Sequence, residues 1–478
     1  MQRTMQVSLF LILFALATRV PVDTDVWWHL RAGQHILTDG FIYTDPFSFT
    51  KVGVSWINHS WAAQIILVVI WQVAGNAGLG LFTAILATAG MIFLYRSGTG
   101  HIYLRAGILI LGAVTASSFW VERPQMFSFF FSAVIIYLLH LARRGGRDYL
   151  WWIPLIMALW GNLHAGYSIG FILLLGTIVG EVAGHVLKWN TALVMPWPLI
   201  RKLSLVTMLS VASVMINPYG PQILTVPFAT VGISFLRDYV NEWNRPDFTE
   251  PLVWPFLVMF SLVVLLGILN RKRIAVTDVC LCLGTTGLAL VAGRNIATFA
   301  VVATPVLMYW SNDLLQQRGW VLHPVKRVSL GIARLNVVFI SIIAFVCLIK
   351  VIGSLSLATV AQAQSEFLPV RLTTFLREAN LPGPMFNSYN WGGFLMFALP
   401  EQSVFVDGRT DLYGDSFLRQ DYLPAAVGES GWQSILDRYG IQLVVMEADS
   451  GLVGMLRQET SWQLRYEDEQ AVVFSRIR

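Results

Sequence analysis

The sequence predicts a polytopic α-helical membrane protein of about 11 spanning helices, followed by a small C-terminal α/β domain. Three observations carry that expectation. Hydrophobic residues make up 55% of the 478-residue chain and charged residues only 13%, against roughly 25% charged in a soluble domain. Apolar runs long enough to span recur as far as residue 353. From about residue 365 the composition becomes that of a water-soluble fold: 365–478 carry 9 Lys+Arg against 15 Asp+Glu, whereas 1–364 carry 24 against 13. The net charge of +5 therefore belongs to the membrane part. There it marks loop orientation and is no nucleic-acid footprint.

A spanning helix needs about 20 mostly apolar residues. The first run, 4–22, carries an Ala15-Leu16-Ala17 triplet like that of a signal peptide, but it serves equally as a first span. After it comes the stretch on which a functional reading turns, Asp23 to Trp61. It holds four carboxylates (Asp23, Asp25, Asp39, Asp45), three histidines (His29, His35, His59) and four tryptophans (Trp27, Trp28, Trp56, Trp61). Tryptophans there form an interfacial belt with the charges facing water, or the stretch is an active site at the membrane surface.

The remaining spans are expected at 78–96, 103–121, 125–142, 149–163, 167–187, 203–217, 252–270, 275–293, 296–311 and 330–353. Residues 60–75 are long enough for a short span, and orientation decides against one. If they stay out of the bilayer and the N-terminus is inside, the basic clusters all fall inside: Arg96 with Arg105, Arg143-Arg144-Arg147, Lys188-Arg201-Lys202, Arg271-Lys272-Arg273, and Arg318-Lys326-Arg327. Residues 60–75 are thus read as a re-entrant or interfacial helix on the outer face. That choice gathers the polar features on one side: the 23–61 loop, Glu122-Arg123-Pro124, Asn162-Leu163-His164, Asn217 to Gly220, the loop with Arg237, Asp238, Glu242 and Trp243, and Arg294-Asn295.

In the C-terminal part, VFVDGR (404–409) and QLVVMEAD (442–449) read as buried strands. GWQSILDRYG (431–440) reads as a helix stopped by glycine, and 462–476 as a closing hairpin. The domains are therefore 1–355, a membrane domain with outer loop 23–61, and 365–478, an extracytoplasmic α/β domain. Cys280, Cys282 and Cys347 all lie in apolar runs and indicate no disulfide framework.

Each chemical constellation has a plainer alternative. Asp23-Thr-Asp25, just past a helix end, suits a general base or a divalent cation such as magnesium or manganese; otherwise it is a solvated turn capping a helix that begins at Val26. Asp45-Pro46-Phe47-Ser48 offers the same chemistry or an ordinary Asp-Pro turn. Arg123 holds a phosphate by paired hydrogen bonds, or pairs with Glu122 and snorkels to the interface. Arg294 poses the same choice. His29 and His164, with His59, are donors to a phosphate or sugar hydroxyl, or structural groups at helix ends. Glu242 is the substrate-binding candidate of the long loop.

With these pieces in place, the chain resembles bacterial integral-membrane glycosyltransferases of the GT-C superfamily, which includes the aminoarabinose, protein mannosyl and oligosaccharyl transferases. The carriers are Asp23-Thr-Asp25-Val-Trp-Trp-His29 for the acidic motif after the first helix, WAAQIILVVIW for the interfacial helix, and Val121-Glu122-Arg123-Pro124-Gln125 between the third and fourth spans. The match covers about 1–355. The segment 388–414, SYNWGGFLMFALPEQSVFVDGRTDLYG, is similar to the tryptophan- and glycine-rich segment of oligosaccharyltransferase soluble domains but lacks WWDYG, so sequon recognition does not carry over.

The resemblance implies transfer of a sugar from a polyprenyl-phosphate carrier to a lipid, glycan or protein acceptor, on the outer face of a bacterial inner membrane. It implies Asp25 as the catalytic carboxylate with Asp23 and Asp45 in support, a cation on Asp23 and Asp25, and Arg123 with Arg294 on the donor phosphate. Membrane lipids are the surrounding partner. A secondary transporter or lipid flippase would place its binding groups near the bilayer midplane with internal repeats, and this sequence has neither feature. A non-catalytic envelope-assembly scaffold would tolerate loss of Asp25.

Overall fold

Every apolar run read as a span is helical in the computed structural model, which describes residues 2–320 and 329–477. In chain order the helices are α1 Gln2–Ala17, α2 Val26–Thr38, α3 Trp61–Ser97, α4 Ile102–Ala116, α5 Gln125–Arg144, α6 Ile153–Leu163 and α7 Tyr167–Val186. There follow α8 Trp197–Val214, α9 Val226–Gly232, α10 Ser234–Tyr239, α11 Trp254–Leu269, α12 Val276–Val291, α13 Ile296–Gln317 and α14 Leu330–Leu355. Among the described residues, α3, α4 with the turn after it, α5, α7, α8, α11 with the turn before it, and α14 are long and apolar enough to cross a membrane. Helices α1, α6 and α12 are shorter apolar ones. Lys326 and Arg327 of the last basic cluster lie outside the described residues.

Within the 23–61 stretch α2 starts at Val26, and Val26 to Leu30, more than a full turn, are all buried. Residues 60–75 form a helix of their own, as expected: α3 is two helices that meet at a break at Gly75, whose φ of 56° and ψ of −148° suit glycine almost alone.

The chain divides into two compact units. The helical unit comprises Met1–Arg19, Gly80–Pro227 and Val240–Leu355. The second comprises Val20–Leu79, Phe228–Tyr239 and Ser356–Arg478, so the 23–61 stretch packs with the C-terminal residues. In the helical unit, small residues let backbones approach, as is usual between membrane helices. A Cβ on Gly112 of α4 would lie 2.1 Å from Thr304 Oγ1 of α13, and one on Gly180 of α7 would lie 2.4 Å from Thr277 Cα of α12.

The second unit adds α15 Leu357–Phe367, α16 Val370–Ala379, β1 Met385–Asn387, α17 Gly392–Ala398, α18 Thr410–Phe417 and α19 Leu423–Ala426. Beyond these lie α20 Trp432–Arg438, β2 Leu443–Glu447, α21 Gly451–Leu456, β3 Trp462–Glu467 and β4 Ala471–Arg476. The sheet order is β1-β2-β4-β3, with β1 parallel to β2 and the other pairs antiparallel. The strand at 442–449, the helix at 431–440 and the closing hairpin all form as expected.

The expected strand at 404–409 does not form. Its residues are buried as a strand's would be, but their backbone groups find other partners. Val404 makes a single bridge with Ser48, and the Asn387 side chain accepts from Phe405 N at 2.8 Å and donates to Val406 O at 2.8 Å. With its backbone groups satisfied, the segment needs no ladder.

Candidate active site

Asp25 stands at the N-cap of α2, and its amide donates to Asp23 Oδ1 at 2.9 Å. This turn puts both carboxylates at the start of α2, where the helix dipole favours negative charge. The other wall of this site is the Asp407-Gly408-Arg409 turn. A Cβ on residue 408 would lie 2.2 Å from Asp25 Oδ1 and 3.2 Å from Trp28 Nε1, so only glycine lets the two segments meet. The helix itself is seated by α17. Gly393 lies against the Trp28 backbone, where a Cβ would be 3.2 Å from Trp28 N, and Trp27 packs edge-on to Phe394 at 5.2 Å.

The turn is locked from behind by a buried ion cluster. Arg409 has no exposed side-chain surface; its Nη1 donates to Asp45 Oδ1 and its Nη2 to Asp407 Oδ2, both at 2.6 Å. Tyr413 Oη donates to Asp407 Oδ2 at 2.8 Å. Asp45 also accepts from Phe47 N at 3.2 Å and Ser48 N at 3.0 Å. Burial opposes the charge on Arg409, but Asp407 and Asp45 outweigh it and hold the guanidinium protonated well above its usual value. The guanidinium also lies 4.8 Å from the Trp56 ring centre. Asp45 is thereby committed to holding structure, a role its sequence context left open.

Beside Asp25 sits Tyr389. Burial first, and then the Asp25 charge, push its phenol far above the usual tyrosine value. It therefore stays a hydroxyl, hydrogen-bonded to Thr410 Oγ1 at 2.6 Å.

The helical unit holds a second constellation. Arg123 Nη2 donates to Glu242 Oε2 at 3.2 Å and Arg294 Nη1 to Glu242 Oε1 at 3.3 Å. Arg294 also covers the Trp243 ring at 4.4 Å. Burial would raise the Glu242 carboxyl, but Arg123 and Arg294 outweigh it and hold the group below its usual value. Glu122, 2% exposed, is within electrostatic range of Arg19.

The expected histidines are buried or half-buried. His29 is buried, and its Nδ1 faces Gln64 Nε2 at 3.4 Å, while Gln64 and Asn58 exchange two hydrogen bonds of 2.6 and 2.8 Å. His164 ends α6; its Nδ1 accepts from Gly166 N at 3.0 Å and meets Ser128 Oγ at 2.7 Å. His59 lies half-buried in the turn before α3.

The structure thus brings Asp23, Asp25 and Asp45 around one turn, and Arg123, Glu242 and Arg294 into one cluster. The sequence reading missed Arg19, Tyr389, Asp407, Gly408 and Arg409. Its signal for the last three was an Asp-Gly turn dipeptide with a basic residue inside an acidic, otherwise apolar run.

Among the described residues no group of three or more His, Cys, Asp or Glu side chains is placed to hold a metal ion. Asp23 and Asp25 still fit a magnesium-type ion, which takes one or two carboxylates and completes its shell with water and substrate phosphate.

No family model matches the sequence, and no curated protein matches it. Solved structures do. The archaeal oligosaccharyltransferase AglB from Archaeoglobus fulgidus, in complex with an inhibitory peptide and a dolichol-phosphate, matches with a TM-score of 0.60 at 12% identity, over 93% of this chain and 69% of that one. ArnT from Cupriavidus metallidurans in the apo state gives 0.56 at 13%, over 98% and 96%. Mycobacterial arabinofuranosyltransferase AftD gives 0.51 at 13%, over 99% of this chain and 40% of that one. These neighbours are GT-C glycosyltransferases, and the fold of this chain is theirs.

Proposed function

We propose that this protein is a membrane glycosyltransferase that moves a sugar from a polyprenyl-phosphate carrier to an acceptor hydroxyl or amide. The observation that carries the reading is the meeting of Arg123 and Arg294 on Glu242, two guanidinium groups in one place that suit a lipid phosphate, in a chain with the fold of lipid-phosphate-dependent transferases. In the transfer the acceptor attacks the anomeric carbon and the bond to the phosphate oxygen breaks. The phosphodiester, with one negative charge, leaves as a phosphomonoester that gains a second. Arg123 and Arg294 stabilise that developing charge, and Asp25 takes the acceptor's proton.

Tyr389 and Thr410, held beside Asp25 as hydroxyls, are positioned to orient the acceptor. A divalent cation, held by Asp23 and Asp25, would supply charge neutralisation at the phosphate. Asp45 takes no part, because Arg409 and two backbone amides occupy its carboxylate. In this reading the chemistry takes place on the outer face of a bacterial inner membrane, which the positions of the basic clusters support.

The test is transfer of labelled sugar from a panel of polyprenyl-phosphate donors to lipid, glycan and peptide acceptors in liposomes. Asp25→Asn keeps size and hydrogen bonding but removes the charge. Turnover should fall by about two orders of magnitude with donor binding little changed. Arg123→Lys keeps charge but loses the paired donors, so donor use should weaken. Near-normal transfer by Asp25→Asn would remove that residue from the chemistry. Movement of a solute or lipid by a protein that transfers nothing would make it a transporter.

A further inference from the structure

The helical unit contains a cavity with charged groups in its lining, apart from the residues used above. It lies between the C-terminal ends of α3 and α5, the N-terminal end of α12, and the middle of α7 and α13; its volume is about 40 Å³ and it is open at one side. Arg143, Arg144, Asp278, His140 and Tyr309 line its polar part. Leu139, Leu281, Val302 and Val306 are among its apolar lining.

The charged groups form a chain of ion pairs. Arg143 donates through Nε to Glu181 at 2.6 Å and through Nη1 to Asp278 at 2.8 Å. Arg144 donates through Nη2 to the other Asp278 oxygen and lies over the Tyr309 ring at 3.5 Å. Glu181 also accepts from Thr277 Oγ1 at 2.8 Å and Met195 N at 2.7 Å. The pairing has a local cause: the basic last turn of α5 meets the acidic first turn of α12, each with the charge its helix dipole favours.

That chain does not balance. Arg105, within electrostatic range of His140, joins Arg143 and Arg144, and among the described residues Asp278 and Glu181 are the carboxylates paired with this group. One positive charge is left before His140 is counted. Nor are the donors spent, since Arg143 Nη2 and Arg144 Nη1 are buried with no hydrogen-bond partner. Two buried donors and an uncompensated cation in a partly apolar setting call for a singly charged acceptor.

We propose that this cavity binds the phosphate group of a membrane lipid, with Arg143 Nη2 and Arg144 Nη1 as donors and the lipid chain along Leu139, Leu281, Val302 and Val306. A phosphodiester carries one negative charge and accepts two parallel N–H groups, and basic pockets between membrane helices suit such head groups. The site is separate from the Arg123–Glu242–Arg294 cluster and from the transfer reaction.

The experiment is native mass spectrometry of the full-length protein, delipidated and then offered phosphatidylglycerol, diacylglycerol or inorganic phosphate. The wild type should retain one phosphatidylglycerol and no diacylglycerol. Arg144→Gln should weaken retention about tenfold or more. Because that change also strips Asp278 of a partner, Val306→Phe is the second variant: it fills the cavity, leaves every charge in place, and should weaken retention equally. Arg123→Gln should leave retention unchanged. Displacement by inorganic phosphate would assign recognition to the phosphate alone, and its failure would assign it to the lipid as a whole. Unchanged retention in both Arg144→Gln and Val306→Phe, or equal retention of diacylglycerol, would overturn the proposal, whatever becomes of sugar transfer.

Discussion

Asp25 reaches its position because residue 408 is glycine. Any side chain there meets Asp25 Oδ1 at 2.2 Å, closer than non-bonded atoms approach, so the carboxylate or the turn must move. Gly408→Ala should therefore reduce sugar transfer by an amount comparable to Asp25→Asn, while binding of a polyprenyl-phosphate probe is retained; full activity in the purified variant would show that this contact does not set the carboxylate. The turn cannot easily relax to admit a methyl group, because Arg409 behind it is paired on both sides with fully buried carboxylates. Glu242 makes a pH-dependent prediction. Its carboxyl is held below its usual value of 4.5 by Arg123 and Arg294 against the opposing effect of burial. A group depressed on folding contributes stability that is complete above its unfolded value and lost as pH falls through the folded one. The melting temperature should thus exceed that of Glu242→Gln by a constant margin above about pH 4.5, and the margin should close on further acidification. A margin that grows towards low pH would contradict the ion pairing.

At the scale of elements, α2 depends on residues more than 350 positions away. Its Trp27 packs on Phe394 and Phe397, and Gly393 of α17 lies against its Trp28 backbone. Its opposite side rests on the start of α3, where a Cβ on Gly33 would lie 2.4 Å from Gln64 O. A helix of 13 residues is marginal alone, so α2 holds its place through these contacts. Deleting 365–478 should accordingly unfold α2 and not merely change acceptor choice. Protease cleavage within 26–60 should appear in the truncated protein and be absent from the intact one. A truncated protein that resists cleavage there would show α2 to be self-sufficient.

For the whole molecule, the basic clusters set the expected orientation. In a version with Cys280, Cys282 and Cys347 replaced, single cysteines at Gly145 and Trp320 should be shielded from an impermeant thiol reagent in intact cells. Cysteines at Ala165, Val240 and Ser430 should react. Labelling at Gly145 but not at Ala165 would reverse the orientation and move the proposed chemistry to the other face.

The sequence by itself determined the class of the molecule, its spans and three of its C-terminal elements. Those are set by local properties: apolar run length, charge sign and side-chain period within one segment. It also made Asp25 and Arg123 candidates by their place at helix ends. Only the tertiary structure decided which charges are committed to structure and which line a site. Asp45 and Asp25 look alike in sequence, each a carboxylate in a polar turn; in the fold Asp45 is held by Arg409, 364 residues away, whereas Asp25 lies at the close approach of Gly408. VFVDGR reads as a strand because burial and alternation are all that sequence displays. It is not one, because the Asn387 side chain and the 47–49 backbone take its hydrogen bonds. Partners contributed from distant segments leave no trace in local pattern, so pairing, and with it the site, had to be read from the fold.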